Sequence, residues 1–183
     1  VIKYVALLRG INVGGNKLIK MPELSRIFTL LGLKNVKTYI QSGNVLFDSA
    51  KTDSIALTKQ LEKGIRAAVG FEVPVVLRTI VELEAILKLN PFRKVKAEGD
   101  PKLYVSFLVE QHRSGLKTPY QSPKKDCEII YLNPREIFTV AYAMPKGRSG
   151  ESLMTLIEKE FGKAVTTRNW NTVIKIVALA TRD

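Results

Sequence analysis

The 183-residue sequence predicts an α+β protein built from two ferredoxin-like (βαββαβ) halves packed together, with an extra helix at the C-terminus. Three observations predict it. Short runs rich in Val, Ile and Leu alternate with longer segments whose apolar residues recur every three or four positions. Over residues 1–78 these segments follow the order β-α-β-β-α-β, the split βαβ unit. A second, less regular pass through the same order fills 102–183, after a linking helix and basic linker at 79–101.

The first strand is the run Ile2–Leu8. A polar, glycine-rich loop follows, Arg9-Gly10-Ile11-Asn12-Val13-Gly14-Gly15-Asn16-Lys17. Pro22 suits the first turn of a helix. Leu24, Ile27, Phe28 and Leu31 give that helix one apolar stripe, and Gly32 stops it. Val36–Ile40 and Val45–Phe47 read as strands joined by Gln41-Ser42-Gly43-Asn44. Asp53 or Ser54 caps the next helix, whose buried face is Leu57, Leu61, Ile65 and Ala68. Val73–Leu77 is the fourth strand. The strands of this half are apolar at consecutive positions, whereas a sheet with one face in water alternates with polar residues. Both faces should therefore be covered, the second most simply by the other half of the chain.

The capping box Thr79-x-x-Glu82 opens the linking helix with Leu83, Ile86 and Leu87, and Asn90-Pro91-Phe92 ends it. Leu103–Val109, Glu128–Leu132 and Ile137–Tyr142 are the next strands. Between the first two, Gly115, Pro119 and Pro123 fall where the template wants a helix, so that element should be short or irregular. A helix carrying Leu153, Leu156, Ile157 and Phe161 precedes a short strand near Ala164–Thr166. The last helix carries Trp170, Val173, Ile174 and Val177.

Four blocks resemble a known family. They are Leu8-Arg9-Gly10-Ile11-Asn12-Val13-Gly14-Gly15, Thr38-Tyr39-Ile40-Gln41-Ser42-Gly43-Asn44-Val45-Leu46-Phe47, Asn90-Pro91-Phe92, and Thr166-Thr167-Arg168-Asn169-Trp170-Asn171-Thr172-Val173. In this order, from one end of the chain to the other, they resemble the bacterial family catalogued as domain of unknown function 1697. The resemblance implies a two-part ferredoxin-like fold. It implies no established reaction and carries no catalytic residues across.

The net charge of +12 favours anionic partners: nucleic acid, nucleotides, phosphorylated metabolites or acidic proteins. The charge is segmental. Residues 1–50 hold seven bases and two acids and 88–125 hold nine and three, while 51–87 is balanced at five each. No apolar run approaches the roughly 20 residues that cross a bilayer. The run Val5–Leu8 is too short for a signal-peptide core. One cysteine, Cys127, permits no internal disulfide and agrees with a reducing compartment, so a cytoplasmic location without membrane association is expected.

The loop at 9–17 is the leading candidate site. Clustered glycines let consecutive N–H groups cradle an anion, and Arg9 offers a bidentate fork. The candidate anion site is Arg9, Gly10, Asn12, Gly14, Gly15, Asn16 and Lys17, with Asn44 and Arg168 as outlying members. The P-loop pattern fails, because Asn16-Lys17-Leu18 follow Gly15. Glycines satisfying positive φ angles account for the loop equally well. In the split unit the turn at 41–44 is expected at the opposite end of the sheet from this loop. Thr167 or Asn169 as an N-cap, with Trp170 in the core, accounts for much of the Thr166–Thr172 block. His112, the sole histidine, reads as a solvated loop residue, and Cys127 as a small packing residue. Neither metal nor cofactor is expected, since a lone histidine and a lone cysteine build no zinc site.

Three classes of function remain: a module that binds an anionic ligand, a small enzyme on a phosphate or acyl-phosphate substrate using Arg9 and Asn44, and a structural or interaction role as monomer or homodimer.

Overall fold

A computed structural model describes residues 1–96, 99–142 and 149–182, with side chains of the 149–152 stretch left aside; positions 97 and 98 of the basic linker lie outside it. Two compact units make up the chain. The first is Val1–Ile86 together with Lys175–Asp183, and the second is Leu87–Ile174.

The first unit runs β1 (Ile2–Leu8), α1 (Met21–Leu30), β2 (Lys34–Tyr39), β3 (Asn44–Ser49), α2 (Ser54–Val69), β4 (Val75–Thr79) and α3 (Ile80–Leu89), whose last residues pass into the second unit. The sheet order is β2-β3-β1-β4, with every neighbouring pair antiparallel. Side chains alternate along a strand. Tyr4, Ala6 and Leu8 of β1 accordingly share one core with Val45 and Phe47 of β3, Val75 and Leu77 of β4, and the apolar stripes of α1 and α2. Val5, Leu7, Leu46 and Val76 point the other way and are buried too, so both sheet faces are covered as the unbroken apolar strands require.

Local chemistry sets the element ends. Pro22 sits in the first turn of α1, and Gly32, at φ +83°, follows its C-cap. Asp53 caps α2 by accepting from the N–H groups of Ile55 and Ala56, both at 3.0 Å, and Gly70 closes the helix at φ +82°. Asp53→Ala should therefore cost about 1 kcal/mol and lower Tm by about 2–4 °C, with Asp53→Asn close to wild type in the same melt. An unchanged Tm in the alanine variant would mean the cap contributes nothing. Before α3 the reciprocal bonds of a capping box are in place: Thr79 N–H to Glu82 Oε2 at 2.7 Å, and Glu82 N–H to Thr79 Oγ1 at 3.1 Å.

The second unit runs through a 3₁₀ turn (Pro91–Lys94), β5 (Lys102–Leu108), β6 (Tyr120–Gln121), β7 (Cys127–Asn133), β8 (Glu136–Ala141), α4 (Ser149–Phe161), β9 (Val165–Asn169) and the start of α5 (Trp170–Ala180), whose residues from Lys175 on belong to the first unit. Its sheet order is β6-β7-β8-β5-β9, again antiparallel throughout. Where the template wants a helix, 111–125 form an irregular segment that contains the two-residue β6, as the glycine and prolines there dictate. Leu116 and Tyr120 pack that segment onto the core shared by Cys127, Ile129, Ile137 and the α4 stripe. Phe92, Phe138 and Trp170 form an edge-to-face cluster, with Phe92 and Trp170 centroids 5.1 Å apart.

Several side chains depart from expectation. Ala68 is exposed, because the core stripe of α2 runs on from Leu57, Leu61 and Ile65 to Val69 and passes it by. Ile174 is 39% exposed and Ile176 takes the buried place. The stripe of α5 centres on Trp170, Val173, Val177 and Ala180, and Ile174 lies about 100° beyond Val173. The strand expected near Ala164–Thr166 continues to Asn169, so Arg168 stands on a strand and not at a helix start. His112 is half-buried. Its Nε2 meets the Asn133 carbonyl at 3.0 Å, and its ring lies edge-on to Phe161.

Candidate anion site at one end of the first unit

The loop after β1 and the turn before β3 lie at the same end of the sheet, contrary to expectation. The register decides this. β1 and β3 are antiparallel with Leu7 opposite Asn44, so the turn entering β3 sits beside the loop leaving β1. β4 also starts at this end, with Val75 opposite Leu8. Three connections thus converge there, and hydrogen bonds tie them. Leu8 N–H donates to Gly43 O and Arg9 N–H to Pro74 O, both at 2.9 Å.

Asn12 is the staple of the loop. Its Nδ2 donates to Ile19 O at 3.0 Å and to Gln41 O at 2.8 Å, while its Oδ1 accepts from Ile19 N–H at 2.9 Å. Ile11 and Ile19 anchor the two ends of the loop in the core. Between them Asn12 N–H donates to Lys17 O, and Asn16 N–H to Val13 O. Gly14 and Gly15 occupy the tip at φ +58° and +78°, two left-handed residues in succession as in a type I′ hairpin turn. The glycines form the tip of this turn, and the amide of Asn16 closes it. Gly10, at φ +68°, is exposed and Arg9 half-buried.

Asn44 is fully buried. Its Nδ2 donates to Tyr39 O at 2.9 Å and Ser42 Oγ at 3.1 Å, pinning a turn in which Ile40 adopts φ +50°. Arg168 belongs to the second unit. There it is buried, and its Nη1 donates to Thr166 Oγ1 at 2.8 Å and Thr167 O at 3.0 Å. Burial pushes its guanidinium down to about 10, which leaves it charged at neutral pH. Arg78 holds the matching place in the first unit, opposite Val5 as Arg168 is opposite Val105. Arg78 is not among the residues that the sequence singles out. The signal was present in the paired strands Tyr4-Val5-Ala6-Leu7-Leu8 and Tyr104-Val105-Ser106-Phe107-Leu108.

Lys17 reaches away from the glycines. Its Nζ donates to Glu72 O at 2.7 Å and lies 5.9 Å from the centroid of the Phe71 ring. This brings it to an open cleft of about 330 Å³ lined by Lys59, Glu62, Lys63, Arg66, Glu72, Val73 and Pro74. The three cations are exposed and follow one another at i, i+4 and i+7 on α2, so they share a helix face. Both lining carboxylates are engaged: Glu62 Oε1 accepts from Val75 N–H at 2.9 Å, and Glu72 pairs with Arg66 at 3.0 Å. The second pair is mostly exposed, at 66% and 76%, so solvent screens it and it opens readily. These α2 cations do not stand out in the sequence either, because 51–87 is balanced in charge overall.

A cavity of about 440 Å³ in the second unit, beside His112, is lined by Glu110, Arg113, Ser114 and Glu160 among others and has no comparable run of one charge. Among the described residues no group of His, Cys, Asp and Glu is arranged to hold a metal ion, and no helix is long and apolar enough to cross a membrane. Cys127 is buried in the second core.

A family model described as protein of unknown function (DUF1697) matches residues 1–138. The chain belongs to the DUF1697 family. No curated protein matches it. The solved structure of the conserved bacterial protein SP0830 from Streptococcus pneumoniae is similar over 97% of this DUF1697 chain and 98% of that one, at 26% identity and a TM-score of 0.71. Neither description names a ligand or a reaction for this DUF1697 member.

Proposed function

We propose that this DUF1697 protein is a binding module for a phosphate-bearing anion, taken by the cleft along α2 beside the hairpin loop. One observation carries the reading: Lys59, Lys63 and Arg66 line a single cleft that Lys17 also approaches, while the Glu62 carboxylate is committed to the β4 backbone. The recognition is then electrostatic. An incoming phosphate displaces the screened Glu72 carboxylate from Arg66 and takes charge-assisted hydrogen bonds from the neighbouring ammonium groups. The scaffold reads as ferredoxin-like in the first half, on the strength of the β2-β3-β1-β4 order and two helices over one face, and the β7-β8-β5-β9 order of the second half repeats that strand arrangement. The enzymatic alternative loses support, because the amide of Asn44 is spent inside its own turn.

Titration of the full chain with short fluorescent oligonucleotides at low salt tests this. Lys63→Glu should weaken binding about tenfold or more, the value of a charge-assisted contact. No binding at micromolar protein, or equal binding by the variant, would overturn the site.

A further inference from the structure

We propose, resting on that reading, that the ligand is a linear run of phosphates held along α2 and recognised by its backbone alone, as in a single strand of nucleic acid. The spacing of the cations argues for a line. A helix rises about 1.5 Å per residue, so Lys59 and Lys63 stand about 6 Å apart along the axis and Arg66 about 4.5 Å further. The row is therefore about 10 Å long, more than one phosphoryl group bridges. One nucleic-acid strand carries a charge about every 3.4 Å of duplex axis, and more widely when extended. Such a row meets two to four successive phosphates.

The lining argues for backbone recognition. A strand read by its bases needs aromatic faces to stack on. Lys59, Glu62, Lys63, Arg66, Glu72, Val73 and Pro74 supply none. The nearby Phe71 ring is half-buried and has the Lys17 ammonium over it. Lys17, at the Glu72 end of the row, adds a fourth positive charge. Glu72 is then a gate, an exposed carboxylate that holds Arg66 until a phosphate replaces it.

The test is fluorescence anisotropy on the full chain. Labelled deoxythymidine oligomers of increasing length are titrated at several salt concentrations, with orthophosphate, a mononucleotide, inorganic polyphosphate and a duplex as competitors. Affinity should rise with length over the first few nucleotides. For four phosphate contacts the slope of log K against log salt should be about −3, and Lys63→Ala should reduce it by about 0.7. Glu72→Gln should tighten binding about two- to fivefold by releasing Arg66. Polyphosphate should compete, and deoxyadenosine and deoxythymidine oligomers should bind alike. Orthophosphate or a mononucleotide binding as tightly as the oligomers would overturn the linear ligand and leave the anion site standing. A strong base preference, or weaker binding by Glu72→Gln, would overturn recognition through the backbone along α2. Binding of none of the probes would remove the anion site itself.

Discussion

Replacing Phe47 by alanine is expected to destabilise the protein by about 3–5 kcal/mol, the largest effect of any single change considered. Phe47 is fully buried on the helix-facing side of β3. Its ring stacks on Tyr4 with centroids 5.7 Å apart and meets Phe28 of α1 edge-on at 5.5 Å. Truncation removes the transfer energy of an aromatic ring and leaves a cavity between sheet and helices that a close-packed interior cannot fill. Aromatic pairing adds about 0.5–1.5 kcal/mol per pair beyond the buried area. Denaturant unfolding followed by circular dichroism measures the difference. A loss under 1 kcal/mol would show that the three rings do not form the centre of this core. Phe47→Leu keeps most of the volume and should lose well under half as much.

Gly43→Ala is the second. Gly43 has φ +76°, and a Cβ built there would lie 2.6 Å from Ile11 Cδ1 and 2.9 Å from Leu8 Cβ. The left-handed backbone costs an L-residue about 1–2 kcal/mol. Overpacking adds about 1–3 kcal/mol, since Leu8 Cβ is tied to its strand and cannot swing aside. The sum, about 2–5 kcal/mol, appears as a drop in Tm of roughly 5–15 °C. Gly14→Ala is the control. Its φ is +58° but nothing lies within 4 Å of the added Cβ, so only the backbone cost applies. Equal Tm values for the two variants would contradict the close approach of turn and loop. This junction also matters to the proposed cleft site, because it fixes the loop from which Lys17 reaches Glu72.

Legibility varied with the range of the interaction involved. Asp53, Gly70 and the Thr79–Glu82 box were readable because caps act within one helical turn. The helix faces of Leu24, Ile27, Phe28 and of Leu57, Leu61, Ile65 were readable because burial repeats with the helix period. Arg9, Asn12 and the glycines stood out as an amide-lined loop, but the hydrogen bonds that hold that loop were not legible. Asn12 shows why: its partners, Ile19 and Gln41, are 7 and 29 residues away.

By itself the sequence determined the elements, their caps, the doubly apolar strands and the family, all of which rest on contacts between near neighbours or on residue types in order. The tertiary structure decided which loops share an end of the sheet and which cations share a cleft. Antiparallel registry brought the 41–44 turn to the 9–17 loop. The helix period and the return into β4 set three α2 cations and Glu72 around one opening, with Lys17 bonded to the Glu72 carbonyl beside it. Charge counted along the chain averages over helix faces that point in different directions, so a balanced segment concealed a cationic row until the helix was formed and docked.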